Sequence, residues 1–146
     1  MAKRIIMKEP NEILRTKSKP VTEFSASLHE LLEDLRDTLK ANHGVGIAAV
    51  QVGMLYRVAL VETSDGILEL INPVLLESKN DKNGEEGCLS VPGRGSVRRA
   101  QHIVIKAQDR HGEFFTRTFT GREAVCALHE LDHINGILFT DHLDDF

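Results

Sequence analysis

The sequence predicts an α+β domain in which a helix packs on a largely antiparallel sheet, and three observations carry that prediction. A leucine stripe at three- and four-residue spacing runs from Leu28 to Leu39. Several short strand-forming segments follow, separated by turn residues. A second helix with its own start and stop signals comes after them. At 146 residues the chain can bury one sizeable core, so one domain over residues 1–146 is expected.

Each element follows from local chemistry. The first twenty residues mix charges with Pro10 and Pro20 and read as an extended arm over the surface. Leu28, Leu31, Leu32, Leu35 and Leu39 then form one apolar helical face. Ser25 or Ser27 can cap its start, and Gly44, after Asn42 and His43, can close its end. Strands are expected over Tyr56 to Glu62, Ile67 to Ile71 and Val74 to Leu76, with Ser64-Asp65-Gly66 as the first turn. Ile103 to Ala107 and Phe114 to Phe119 flank Asp109-Arg110-His111-Gly112, a predicted hairpin turn. Thr120 with Glu123 fits a capping box for a helix through Ile134, which Asn135-Gly136 ends.

Bulk composition excludes several classes. The hydrophobic fraction is 41% and the charged fraction 27%, ordinary for a globular protein. Net charge is −4, with no long run of Lys or Arg, so contact with nucleic acid is not expected. No apolar stretch approaches a membrane span. The basic start, Met1 to Ile6, is interrupted by Lys8, Glu9 and Pro10 and does not read as a signal peptide. A cytoplasmic location is expected. The two cysteines, Cys88 and Cys126, are then not expected to form a disulfide. Each is a packed thiol, a nucleophile or a metal ligand.

The most informative stretch is His129-Glu130-Leu131-Asp132-His133. Histidines at i and i+4 lie on one helical face and can converge on a single metal ion. Glu130 between them can exchange a proton with water beside that ion. A catalytic metal needs a third protein ligand and an open position. Cys126 lies on the same helix but seven residues from His133, roughly 10 Å of rise. Three donors so spread on one rod converge poorly, and Ala124 to Leu128 reads as core. Cys88, between turn-prone Asn83-Gly84 and Pro92-Gly93, can approach from a separate segment. A third stretch, Gly44-Val45-Gly46-Ile47-Ala48-Ala49-Val50-Gln51, lets another chain come close to small residues and offers the Gln51 amide.

Taken together, Gly44 to Gln51, Glu86-Gly87-Cys88-Leu89-Ser90 and His129 to His133 closely resemble the three signature motifs of peptide deformylases, in the family's order. The resemblance runs on through Ile71-Asn72-Pro73 and Ala107 to Gly112 and covers nearly the whole chain. It implies antiparallel sheets packed around a central metal-binding helix. Cys88, His129 and His133 match the metal ligands and Glu130 the general acid/base. Gln51 and the backbone N–H of Leu89 match the oxyanion donors. Val45 and Gly46 match the segment that pairs with the substrate backbone. Val125, Cys126 and His129 match the lining of the methionine pocket. The implied reaction removes the formyl group from the N-terminal formyl-methionine of new polypeptides, near the ribosome, and releases formate. Ligand chemistry suits Zn²⁺ or Fe²⁺, and the resemblance implies Fe²⁺ as the more active native metal.

The chain departs from the family's pattern in three places. Leu128 stands where Gln is usual before the first histidine. The segment from Pro92 to Arg99 is shorter than common forms, so Arg94 is not carried over as a substrate contact. The sequence resembles short members without an extended C-terminal helix, some of them encoded by phages. Two other readings are a zinc endopeptidase, which would cleave internal bonds of unformylated peptides, and a structural zinc domain. The latter would need a fourth protein ligand, such as Asp141 or His142.

Overall fold

The computed structural model describes residues 3–8, 11–88 and 90–138. Its elements are α1 (Ala26–Ala41), β1 (Gly46–Ala48), β2 (Val58–Thr63), β3 (Gly66–Cys88), β4 (Val91–Gln108), β5 (Phe114–Thr120) and α2 (Gly121–Ile134). Single 3₁₀ turns cover Glu12–Arg15 and Ala49–Val52. All strand pairs are antiparallel, in the order β1-β2-β3-β4-β5. The predicted α+β class is what forms.

A helix lies on each face of the sheet. The α1 leucines pack with Ile47, Val58, Leu60 and Ile71. On the other face, Ala124, Cys126, Ala127 and Leu131 of α2 pack with Val61, Leu70, Ile103, Ile105 and Phe119. Neighbouring side chains of a strand point to opposite faces. Val58 and Leu60 therefore feed the α1 layer and Val61 the α2 layer, and β2 is buried on both sides. Each fully buried aliphatic side chain contributes about 1.5–3 kcal/mol.

Several local expectations need correction. Ser25 is the N-cap of α1, but its side chain makes no capping bond. The left-handed residue after α1 is His43, with φ 53°, and the Gly44 N–H reaches back to the Leu39 carbonyl. The arm is not wholly extended: the Asn11 side chain accepts from Ile13 N–H and starts the turn that buries Leu14. Thr120 is the N-cap of α2 without a side-chain bond, and Glu123 instead accepts from Ser64 N–H at 3.0 Å. The separate strands expected at Ile67 and Val74 are parts of β3, which runs on to Cys88. Asn83-Gly84 and Pro92-Gly93, expected as turns around Cys88, lie within the β3/β4 ladder, with Asn83 opposite Arg98 and Gly84 opposite Val97.

One bulge is built by chemistry. Between Ile71 and Val74 the register shifts. Asn72 takes a left-handed conformation there, and Pro73 has no N–H to lose from the ladder. The Asn72 amide accepts from Val21 N–H at 2.8 Å and donates to the Val21 carbonyl and to Gln108. The segment that leads into α1 is thereby tied to the sheet. The 109–112 turn forms as predicted, with the Asp109 carboxylate accepting from the N–H groups of His111 and Glu113.

An ion network joins α1 to that turn. Glu69 accepts from Arg36 at 3.2 Å and from Arg110, and Arg110 also bonds Glu33 at 2.8 Å. Burial pushes the Glu69 carboxyl up, but hydrogen bonds and charge from Arg110, then Arg36, outweigh it and hold it below the usual range. A carboxyl depressed in the folded state contributes stability above its unfolded value and loses it as pH falls through the folded one. Glu69→Gln should cost about 1–3 kcal/mol at neutral pH. Urea unfolding near pH 7 and near pH 3 checks this: the deficit should shrink in acid, and an equal deficit at both would mean that ionisation is not its source.

Candidate metal centre

Helix α2 supplies the rigid half of the site. His129 and His133, one turn apart, bring their Nε2 atoms to 3.1 Å, with ring planes at 70°. Both are buried. The β3/β4 ladder supplies the other half: Cys88 ends β3, and its Sγ lies 3.2 Å from His133 Nε2. The three donor atoms all fall within 4.8 Å of one another. Ligands around one tetrahedral ion with Zn–N near 2.0 Å and Zn–S near 2.3 Å would be roughly 3.3–3.6 Å apart. A thiol and two imidazoles so close, largely away from water, fit a single divalent transition metal.

Cys126 is not part of this cluster. Its Sγ donates to the Val45 carbonyl at 3.3 Å, which places it beside β1. Gly46 explains the closeness. A Cβ there would lie 2.8 Å from Cys126 Sγ and 2.6 Å from Glu130 Oε2, so only glycine lets β1 lie against both side chains. Glu130 is thus buried between the donor helix and the β1 backbone.

Gln51 sits in the 3₁₀ turn with 1% exposure. Its orientation is determined by a donor: Ala48 N–H points at it from 2.9 Å and requires an oxygen there. The amide nitrogen therefore faces the cluster, 3.6 Å from Cys88 Sγ and 3.2 Å from Ser90 Oγ. Leu89, expected as the second oxyanion donor, lies outside the described residues. Val45 is 55% exposed and Val125 is half-buried. Arg94 is exposed opposite Gly87.

Sequence reasoning missed two groups. Ser90, fully buried, accepts from the Gln51 amide and donates its own N–H toward Cys88 Sγ at 3.4 Å. Its signal in the sequence is its place at the end of the Glu86 to Ser90 motif, two residues after Cys88. Asp132, which the helical pattern alone would leave in solvent, receives Arg99 at 2.5 Å from β4. The bond ties the last turn of α2, next to His133, to the strand that returns from Cys88.

Comparison with known proteins agrees with this geometry. Residues 3–146 match the family model described as polypeptide deformylase. A peptide deformylase of Heliobacterium modesticaldum is 44% identical over 99% of this chain and 97% of its own length. The crystal structure of a peptide deformylase from Legionella pneumophila superposes with a TM-score of 0.94 at 42% identity, covering 97% of this chain and 86% of that one. A peptide deformylase from Acinetobacter baumannii, crystallised with Met-Ala-Ser bound, gives 0.92 at 35% identity over 97% of this chain and 99% of that one. A full-length family match and a Cys, His, His cluster on the expected elements lead to one conclusion: the chain belongs to the polypeptide deformylase family, metal-dependent hydrolases that remove the formyl group from the N-terminus of nascent polypeptides.

Proposed function

We propose that residues 1–146 act as one catalytic domain in which Cys88, His129 and His133 hold the metal and Glu130 moves the proton. The observation that carries this is the convergence of three donor atoms within 4.8 Å, next to a buried carboxylate on the same helix. A metal held there supplies a Lewis acid and a water acidic enough to react near neutral pH. Glu130 takes the proton of the attacking water and returns it to the leaving α-amine. The Gln51 amide, turned toward Cys88, donates to the developing oxyanion, and the Leu89 N–H is the second donor.

The substrate reading rests on β1. This strand ends the sheet, and Val45 accepts from Glu62 N–H at 2.8 Å on the β2 side. Residues alternate along a strand, so the N–H and C=O of Gly46 face away from β2. An extended polypeptide N-terminus can pair there by strand addition. Val125, Cys126 and His129 line the pocket for its methionine side chain. The peptide Met-Ala-Ser held by the Acinetobacter relative is the same kind of ligand.

Fe²⁺ is the proposed native metal and Zn²⁺ a frequent, poorer occupant. Working in the cytoplasm near the ribosome, on the emerging chain rather than on nucleic acid, fits the net charge of −4. Among the described residues no helix is long and apolar enough to cross a membrane. The direct test is formate release from formyl-Met peptides by anaerobically prepared protein of known metal content. Metal-loaded protein that releases no formate would refute the proposal.

Three further outcomes follow. Glu130→Gln should keep its metal and lose ~10²–10⁴-fold in turnover; near-normal turnover at full metal content would remove Glu130 from the mechanism. Cys88→Ala should lose stoichiometric metal by elemental analysis while Cys126→Ala retains it, and the reverse pattern would reassign the third ligand. Iron-loaded protein should be more active than zinc-loaded protein and should decay in air over hours, because Fe²⁺ oxidises and Zn²⁺ does not. Equal activity and equal decay of the two forms would refute the iron assignment.

A further inference from the structure

From the path of the N-terminal arm we infer that Arg4 and Met7 are positioning residues for Gln51: the arm is a strap that holds the oxyanion amide in place from the far side of its turn. The inference rests on the role proposed above for Gln51.

The turn that carries Gln51 spans only Ala49–Val52. So short a turn cannot satisfy its own carbonyls. Gly53 N–H takes the Val50 carbonyl and Met54 N–H takes that of Ala49. The Gln51 carbonyl is taken instead by Met7 N–H, 44 residues away in sequence, at 2.6 Å. Gln51 is thus gripped at both ends, by Met7 on its backbone and by Ala48 N–H on its side-chain oxygen.

The strap has an anchor. Arg4 N–H donates to Thr38 Oγ1 at 2.7 Å, and its guanidinium bonds the buried Asp34 at 2.9 Å. The Thr38 hydroxyl in turn donates to the Asp34 carbonyl at 2.8 Å, so the anchor is built into α1. Only Ile5 and Ile6 separate Arg4 from Met7, and an extended chain gains about 3.5 Å per residue. Little slack is available, so Arg4 on α1 restricts where Met7 N–H can be. Ile5 is 83% exposed, and the strap is held by these polar bonds more than by burial of its middle. The Met7 side chain packs in the cluster of Leu14, Val97 and Leu138, which Cys88 also joins. Helix α1, the Gln51 turn and the Cys88 strand end are therefore joined through the four residues from Arg4 to Met7.

The test is a double-mutant cycle on formate release, with metal content and thermal unfolding measured on every protein. Met7→Pro removes the N–H and is compared with Met7→Leu, which keeps it; Arg4→Ala removes the guanidinium bond to Asp34, leaves the backbone N–H on Thr38, and stands in if the proline variant fails to fold. Each should lower kcat about tenfold, a fraction of the ~10²–10³ that loss of an oxyanion donor costs, with KM within about twofold and metal content unchanged. In a Gln51→Ala background neither should lower kcat further, because the amide that the strap positions is gone. Unchanged kcat in the single variants overturns the strap. So does an equal fractional loss on top of Gln51→Ala, which would mark a general effect on the fold. Wild-type kcat in Gln51→Ala alone would overturn the oxyanion role of Gln51, and the strap with it.

Discussion

Two histidines one turn apart on a rigid helix can aim at one point, but the same helix cannot surround that point. Most of the architecture answers this constraint. A donor at Cys126 would sit roughly 10 Å of rise from His133, so the third donor must come from another segment, and its sulfur must arrive 3.2 Å from the imidazole. The β3/β4 ladder makes that delivery. Its register shifts between Ile71 and Val74, between Leu75 and Glu77, and again at Gly87. Each irregularity bends or twists a strand that would otherwise run straight past the helix. Arg99 then ties β4 to Asp132 beside His133, so the strand end and the helix end cannot drift apart independently.

The sheet must be thin where the helix meets it. Gly46 has no side chain, and α2 closes on β1 until Glu130 and Cys126 touch its backbone. On the opposite face the α1 leucines fill the space with bulk. A small residue facing the chemistry and large ones facing away allow one short strand to serve as both a wall of the site and a layer of the core. The cost is sensitivity: a methyl group at position 46 would displace the carboxylate proposed to move the proton.

What the sequence discloses divides by distance along the chain. The histidine pair is legible because an i, i+4 relation is complete within five residues. Cys88 is legible as the better third ligand because helix rise is a fixed length. The polar stretch from Glu77 to Lys82 is not legible as strand: it is exposed and lacks apolar alternation, and its pairing with β4 is a property of two segments together. The three residues of β1 are too few to carry a period. Glu123 fits a cap by spacing, yet the nearby Ser64 N–H, which no local rule anticipates, takes its carboxylate. Ser90 and Arg99 act on partners 39 and 33 residues away, beyond any local signal.

Buried polar groups explain why stability and chemistry are hard to separate here. Gln51, Ser90, Glu130, His129 and His133 are all nearly inaccessible. An amide or hydroxyl removed from water without a partner costs about 1–3 kcal/mol in proteins, so side chains buried without partners would unfold so small a domain. The Gln51 amide avoids that cost by bonding Ala48 with its oxygen and Ser90 with its nitrogen. Those bonds also leave it only one orientation. A nitrogen that stabilised the fold by any other partner would not face Cys88. The hydrogen bond that makes burial tolerable is therefore the one that aims the donor, and a variant that relaxes the aim also gives up part of the bond.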